Sequence, residues 1–184
     1  CGEAEILQRL EELSVVNEAE LIGKTDVLTA VCEAVSAIRI LYNSPDLSIA
    51  VTGYSAIGNG HINDTRLVTM DNGVQYVLQR INKNVFKNPA ALMANFAGVT
   101  SYLSKIITEN GGDPMRETLN LVLTRDGKPY YTDAAGKVWR LTNYVEGTVC
   151  LQKATPDLFE ASARAFGRFQ RLLADYPAET LHES

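Results

Sequence analysis

Residues 47 to 82 carry the pattern that most restricts what this chain can fold into. The segment LSIAVTGYSAI (47–57) alternates, placing Leu47, Ile49, Val51, Gly53, Ser55 and Ile57 on one face, because successive strand residues point to opposite sides. It ends at the tip Gly58-Asn59-Gly60-His61 and returns as NDTRLVTM (63–70). Asp71-Asn72-Gly73 turns the chain again, and QYVLQRIN (75–82) makes a third strand. Asn72-Gly73 predicts a two-residue type I′ hairpin loop, since both of its central positions need positive φ. Three antiparallel strands in succession follow.

The segments on either side read as helices and further strands. Residues 3–22 place Ile6, Leu10 and Leu13 at helical spacing opposite a Glu-rich face. Six glutamates precede Lys24 there, facing only Arg9 and Lys24, which fits either a solvated helix or a partner-docking one. A second helix carries Val27, Val31, Ala34, Val35, Ile38 and Leu41, and stops at Asn43-Ser44-Pro45. Asn88-Pro89 opens a third, with a capping side chain before proline at the first helical position. Its stripe is Leu92, Phe96, Val99, Leu103 and Ile106, and Asn110-Gly111-Gly112 stops it. ETLNLVLT (117–124) alternates like a strand, Tyr130–Thr132 is a short one, and KVWRLTNYV (137–145) is the fifth main strand. Thr155-Pro156-Asp157 opens a last helix, with Phe159, Ala163, Phe166, Gln170 and Leu173 on one face. Strands in runs with one helix inserted after the third predict an α+β fold, not a doubly wound sheet. The expected architecture is a five-stranded antiparallel sheet with one inserted helix, flanked by N-terminal helices and a C-terminal helix.

Charge and cysteine content narrow the function classes. A length of 184 residues suits one domain, or one domain plus a helical attachment. A net charge of −5 argues against general binding to nucleic acid or a membrane surface. No apolar run reaches the roughly 18 residues of a membrane span. Cys1, Cys32 and Cys150 are widely spaced and odd in number, so zinc and redox motifs have no support, and a reducing, cytoplasmic setting is expected. Cys32 on its helix reads as a small apolar residue. The one local exception to the acidic balance is 72–108, which holds Arg80, Lys83, Lys87 and Lys105 and no carboxylate. That field suits phosphates, or is a solvated basic face. The start at Cys1 and the end at Ser184, just after a helical segment, suggest a fragment.

Five segments then occur in a telling order: Gly60-His61-Ile62-Asn63-Asp64-Thr65, Tyr76-Val77-Leu78-Gln79-Arg80-Ile81-Asn82, Asn88-Pro89-Ala90-Ala91-Leu92-Met93, Tyr144-Val145-Glu146-Gly147-Thr148, and Ala165-Phe166-Gly167 with Phe169-Gln170. Each is weak alone. Together, over about residues 45–176, they resemble the N-terminal lobe of the aminoglycoside phosphotransferase-like kinases, and within them the sugar kinases typified by N-acetylhexosamine 1-kinase.

The resemblance implies a protein-kinase-like N-lobe at 46–147, a helical segment at 1–45, and at 148–184 a linker and the start of a truncated second lobe. It implies ATP as the nucleotide, Mg²⁺ held by ligands in the missing lobe, and transfer of the γ-phosphoryl to a hydroxyl of a small-molecule sugar. Gly58, Asn59, Gly60 and His61 would lie over the phosphates, where glycine lets backbone N–H groups approach closely; read alone, Gly-x-Gly is more often a plain hairpin tip. Arg80 would stand where the third strand presents a cation to the α/β-phosphates. Leu78 would share its face and touch adenine. Tyr144, Val145 and Glu146 would form the hinge whose backbone meets the adenine edge.

Two departures accompany it. Kinase-like folds pair the third-strand cation with a glutamate on the next helix, and no acid lies between Pro89 and Thr108. The loop that supplies the family's catalytic Asp, its Asn and the metal-binding Asp is absent, so no catalytic residue and no metal ligand is assigned in this chain. Alone, the chain is expected to be inactive, and its exposed apolar surface to favour association, self-association included. A non-catalytic kinase-like binding or scaffold domain is the alternative.

Overall fold

The computed structural model describes residues 51–57, 62–70, 72–124, 126–133, 135–148 and 153–183. The two expected N-terminal helices, the first four residues of the expected first strand, the Gly58–His61 tip and all three cysteines lie outside them. The described elements are β1 (Val51–Ala56), β2 (Asp64–Met70), β3 (Gln75–Arg80), α1 (Pro89–Glu109), α2 (Pro114–Glu117), β4 (Leu121–Val122), β5 (Tyr131–Thr132), β6 (Val138–Asn143) and α3 (Pro156–Leu172), followed by a 3₁₀ turn at Ala178–Thr180. The fold is α+β. The sheet runs β1-β2-β3-β6-β4, with β5 pairing β6 off that path. Among the described residues the sheet thus has six strands rather than five, because the short strand expected at Tyr130–Thr132 joins it as β5.

β1 and β2 pair antiparallel, with an irregularity between Val51 and Gly53. β2 and β3 pair from Asp64↔Arg80 through Val68↔Tyr76 to Thr69↔Gln75. Residues opposite each other share a face, so Val68, Met70, Tyr76 and Leu78 come together. With Trp139 and Leu141 of β6 they form the buried core of the sheet, and Val122 and Tyr131 pack against them. Ile81 N–H donates to Val138 O at 2.8 Å, tying the end of β3 to the start of β6. The buried indole of Trp139 donates to Asp133 Oδ2 at 2.8 Å, which satisfies its polar edge.

One turn device recurs three times. Gly73, Gly127 and Gly136 have φ of 81°, 75° and 75°. Each donates its N–H to the residue three before it: Met70 O, Thr124 O and Asp133 O. Met70 then pairs with Val74, Thr124 with Lys128, and Asp133 with Lys137. This is a three-residue loop with glycine in the left-handed position. Asn72-Gly73 is thus not a two-residue type I′ loop, and the register between β2 and β3 differs by one from the one that loop would impose.

Local signals also explain α1 and α3. Asn88 Oδ1 accepts from Ala91 N at 3.1 Å, with Pro89 at the first helical position. At the other end Gly111 (φ 75°) donates to Thr108 O and Gly112 to Ile107 O, both at 2.9 Å, the pair of bonds of a Schellman stop. The buried residues of α1 are Ala91, Met93, Leu103 and Ile107. Of the expected stripe only Leu103 is among them, because α1 is apolar nearly all round and its sequence does not single out one face. Thr155 Oγ1 caps α3 through Leu158 N at 3.4 Å. Phe159 and Phe166 on α3 are exposed.

The strand expected at 117–124 is mostly not one. Asp113 Oδ1 accepts from Met115 N and Glu117 Oε1 accepts from Asp113 N, each at 2.9 Å. With Pro114 at the first position, this cap starts the helical turn α2. The same cap-then-proline signature that opens α1 and α3 overrides the alternation, and of 117–124 only Leu121–Val122 pair as a strand.

The chain divides into two compact units, Cys1–Asn82 with Val122–Thr142, and Lys83–Leu121 with Asn143–Ser184. In the second unit the C-terminal segment returns to α1. Asn95 exchanges two hydrogen bonds with the backbone of His182, at 2.7 and 2.8 Å. Tyr176 meets Tyr102 edge-on with centroids 5.1 Å apart. Arg168 pairs with Glu117.

Candidate functional site

β3 presents Tyr76, Leu78 and Arg80 on one face and Gln75, Val77 and Gln79 on the other. Tyr76 and Leu78 are buried. The Leu78 side chain is fully enclosed within the core, and burial raises the Tyr76 phenol above its ordinary pKa. Arg80, at the end of the strand, is 37% exposed, and its Nη2 lies 3.4 Å from Asp64 Oδ2 on β2. The other carboxylate oxygen of Asp64 accepts from Arg66 Nε at 2.6 Å. The Arg80 guanidinium carbon also sits 5.9 Å from the centroid of the Trp139 ring, within cation–π range. Among the described residues, one carboxylate thus meets two guanidiniums.

The frame around the cluster is fixed by further bonds. Asn63 Oδ1 accepts from Asn82 N at 3.0 Å, joining the entry of β2 to the exit of β3. On the opposite face Gln79 Nε2 donates to Thr65 Oγ1 at 2.9 Å, and Gln79 Oε1 accepts from Arg140 Nε at 2.8 Å. Burial lowers the Arg140 pKa.

Tyr144, Val145 and Glu146 follow β6 as non-strand backbone in the second unit. Val145 O accepts from Thr148 Oγ1 at 3.0 Å, and Glu146 O from Arg116 Nη2 at 3.4 Å. Gly147 has φ 71°, so the chain turns just after the three expected hinge residues. Leu78 and Arg80 are thus on one face of one strand. Gly58, Asn59, Gly60 and His61 lie outside the described residues. Sequence reasoning missed Asp64, Arg66 and Trp139 as neighbours of Arg80. Asp64 was legible only with the correct hairpin register, and nothing local points from Arg80 to Trp139.

No protein-family profile matches the chain. Among solved structures, an aminoglycoside phosphotransferase from Alicyclobacillus acidocaldarius is similar to it, with a TM-score of 0.52 and 17% identity over 80% of this chain. The fold is aminoglycoside phosphotransferase-like. The chain spans 37% of that protein's length. Among the described residues of this kinase-like fold, no three His, Cys, Asp or Glu side chains converge as a metal site would require. No described helix is long and apolar enough to cross a membrane.

Proposed function

We propose that this chain is the ATP-binding N-terminal lobe of a cytoplasmic small-molecule phosphotransferase, one that transfers the γ-phosphoryl of ATP to a hydroxyl of an N-acetylhexosamine-type sugar. The observation that carries the reading is the fold: a hairpin-built antiparallel sheet with α1 inserted after its third strand, similar to an aminoglycoside phosphotransferase. The five motif segments support the sugar-kinase branch. The partly exposed Arg80 guanidinium at the end of β3 supports phosphate binding, because a cation presented from a strand can hold charge where a polyphosphate needs it.

In this reading Arg80 contacts the α/β-phosphates and the Gly58–His61 backbone lies over them. Leu78, expected to touch adenine, is enclosed in the core; it backs the strand that presents Arg80 and offers the base no surface. Tyr144, Val145 and Glu146 offer backbone groups to the adenine edge. Mg²⁺ would supply charge neutralisation between phosphates. No ligand for it is assigned among the described residues. The residues of this chain bind and orient the nucleotide; proton removal from the acceptor hydroxyl is assigned to none of them, so this chain alone is expected not to turn over substrate.

A second reading, a non-catalytic kinase-like scaffold, is favoured by one observation: α1 carries no acid before its last residue, Glu109. Calorimetric titration of the chain with ATP, with and without Mg²⁺, beside Arg80→Ala, separates the two. Binding that weakens in the variant supports the nucleotide lobe. A folded chain that does not bind ATP favours the scaffold.

A further inference from the structure

Arg80 lacks the helix glutamate that would steady a third-strand cation in a kinase-like fold, yet it is not left to wander. Asp64 stands directly across the β2–β3 ladder from it and is in ion-pair contact with it at 3.4 Å. We infer that Asp64 is the positioning residue for Arg80, a same-sheet carboxylate doing what the helix glutamate would do, and that it holds the guanidinium ready for the phosphates of a nucleoside polyphosphate. The inference rests on the nucleotide reading of this site.

Three features support it. An arginine side chain gives up much rotamer freedom when it is fixed, and here it is fixed from two sides, by Asp64 and by the face of Trp139. Asp64 is itself held, since Arg66 Nε donates to its other oxygen and the neighbouring Asn63–Asn82 bond locks the strand ends. Arg66 also offsets the carboxylate charge. Arg80 is the most exposed of the three side chains, at 37% against 22% for Arg66 and 20% for Asp64, so it is the one a ligand can reach.

The sign of one substitution separates positioning from bulk electrostatics. Asp64→Asn makes the site more positive by one charge. If charge alone governs, ATP binds more tightly. If Asp64 positions Arg80, ATP binds more weakly, by on the order of fivefold, the scale of one lost hydrogen-bonded contact.

The experiment titrates ATP into the whole chain as wild type, Asp64→Asn, Asp64→Glu, Arg80→Ala and the Asp64→Asn/Arg80→Ala double variant. It also follows the Arg80 Nε–H by NMR relaxation without ligand. Expected results are weaker ATP binding in Asp64→Asn, partial recovery in Asp64→Glu, no further effect of Asp64→Asn once Arg80 is removed, and a more mobile Arg80 Nε–H in Asp64→Asn. Unchanged or tighter ATP binding in Asp64→Asn, with Arg80→Ala still weakening it, overturns the positioning role and leaves the nucleotide reading standing. An Arg80 Nε–H equally ordered in wild type and Asp64→Asn overturns it independently of ATP. Arg80→Ala binding ATP as well as wild type, or no ATP binding by the wild type, removes the nucleotide reading and this inference with it.

Discussion

Truncating Leu78 to alanine tests the packing on which the candidate site stands. Leu78 is fully buried on a central strand, and Val68, Trp139 and Leu141 in its cluster are themselves at most 1% exposed. Such a buried cluster collapses only in part around a deleted side chain, so a cavity persists. Leu→Ala at buried sites costs about 2–5 kcal/mol, the higher values where the surroundings cannot collapse. We expect about 3–4 kcal/mol. That is a large part of the ~5–15 kcal/mol by which domains are stable, and at ~2–4 °C per kcal/mol for a chain this size it lowers Tm by roughly 10 °C. Trp139 is the single tryptophan and is 1% exposed in the same cluster, so its fluorescence during urea unfolding reads this core directly. The midpoint should fall with the slope unchanged. Val77→Ala, on the opposite face and only half-buried, should cost less. A loss below about 1 kcal/mol for Leu78→Ala, or one no larger than for Val77→Ala, would refute the account of the core, since complete burial of a leucine cannot come so cheaply.

Two further outcomes are expected. A Cβ at Gly98 would meet the Tyr176 hydroxyl at 2.7 Å, while the next ring atom is 3.9 Å away; Gly98→Ala should therefore stabilise α1 more when combined with Tyr176→Phe than alone, up to the roughly 1 kcal/mol of helix propensity, and equal effects in both backgrounds in thermal unfolding would rule out the contact. Hydrogen bonds from Lys128, then from Thr124, lower the Asp126 pKa from 3.8 to about 2. Its stabilising effect is thus present above the ordinary aspartate range and fades as pH falls from about 3.8 towards about 2. A carboxyl NMR titration should show the low midpoint, and Lys128→Gln should move it upward; an unshifted wild-type midpoint would contradict the pairing.

What could be read from the sequence follows the range of the forces involved. Asn88-Pro89, Asp113-Pro114 and Thr155-Pro156 act within one helical turn, and so do the glycines at 73, 111, 127 and 136. A capping oxygen or a positive φ needs no distant partner, and these residues mark where α1 and α3 start and where the turns fall. Asp113-Pro114 carried the same short-range signal for α2, but the alternation of 117–124 masked it. The order of strands and inserted helix, and with it the resemblance to the phosphotransferase fold, was legible for the same reason. The candidate site was less so. A loop of two residues at Asn72-Gly73 would set Thr65 opposite Arg80; the three-residue loop sets Asp64 there. One residue of register exchanges every neighbour across the ladder. That choice is made by burying Val68, Met70, Tyr76 and Leu78 together against Trp139 and Leu141, residues separated by some sixty positions in the chain. The carboxylate that meets Arg80, and the ring beneath it, were therefore decided by long-range packing, which no local pattern records.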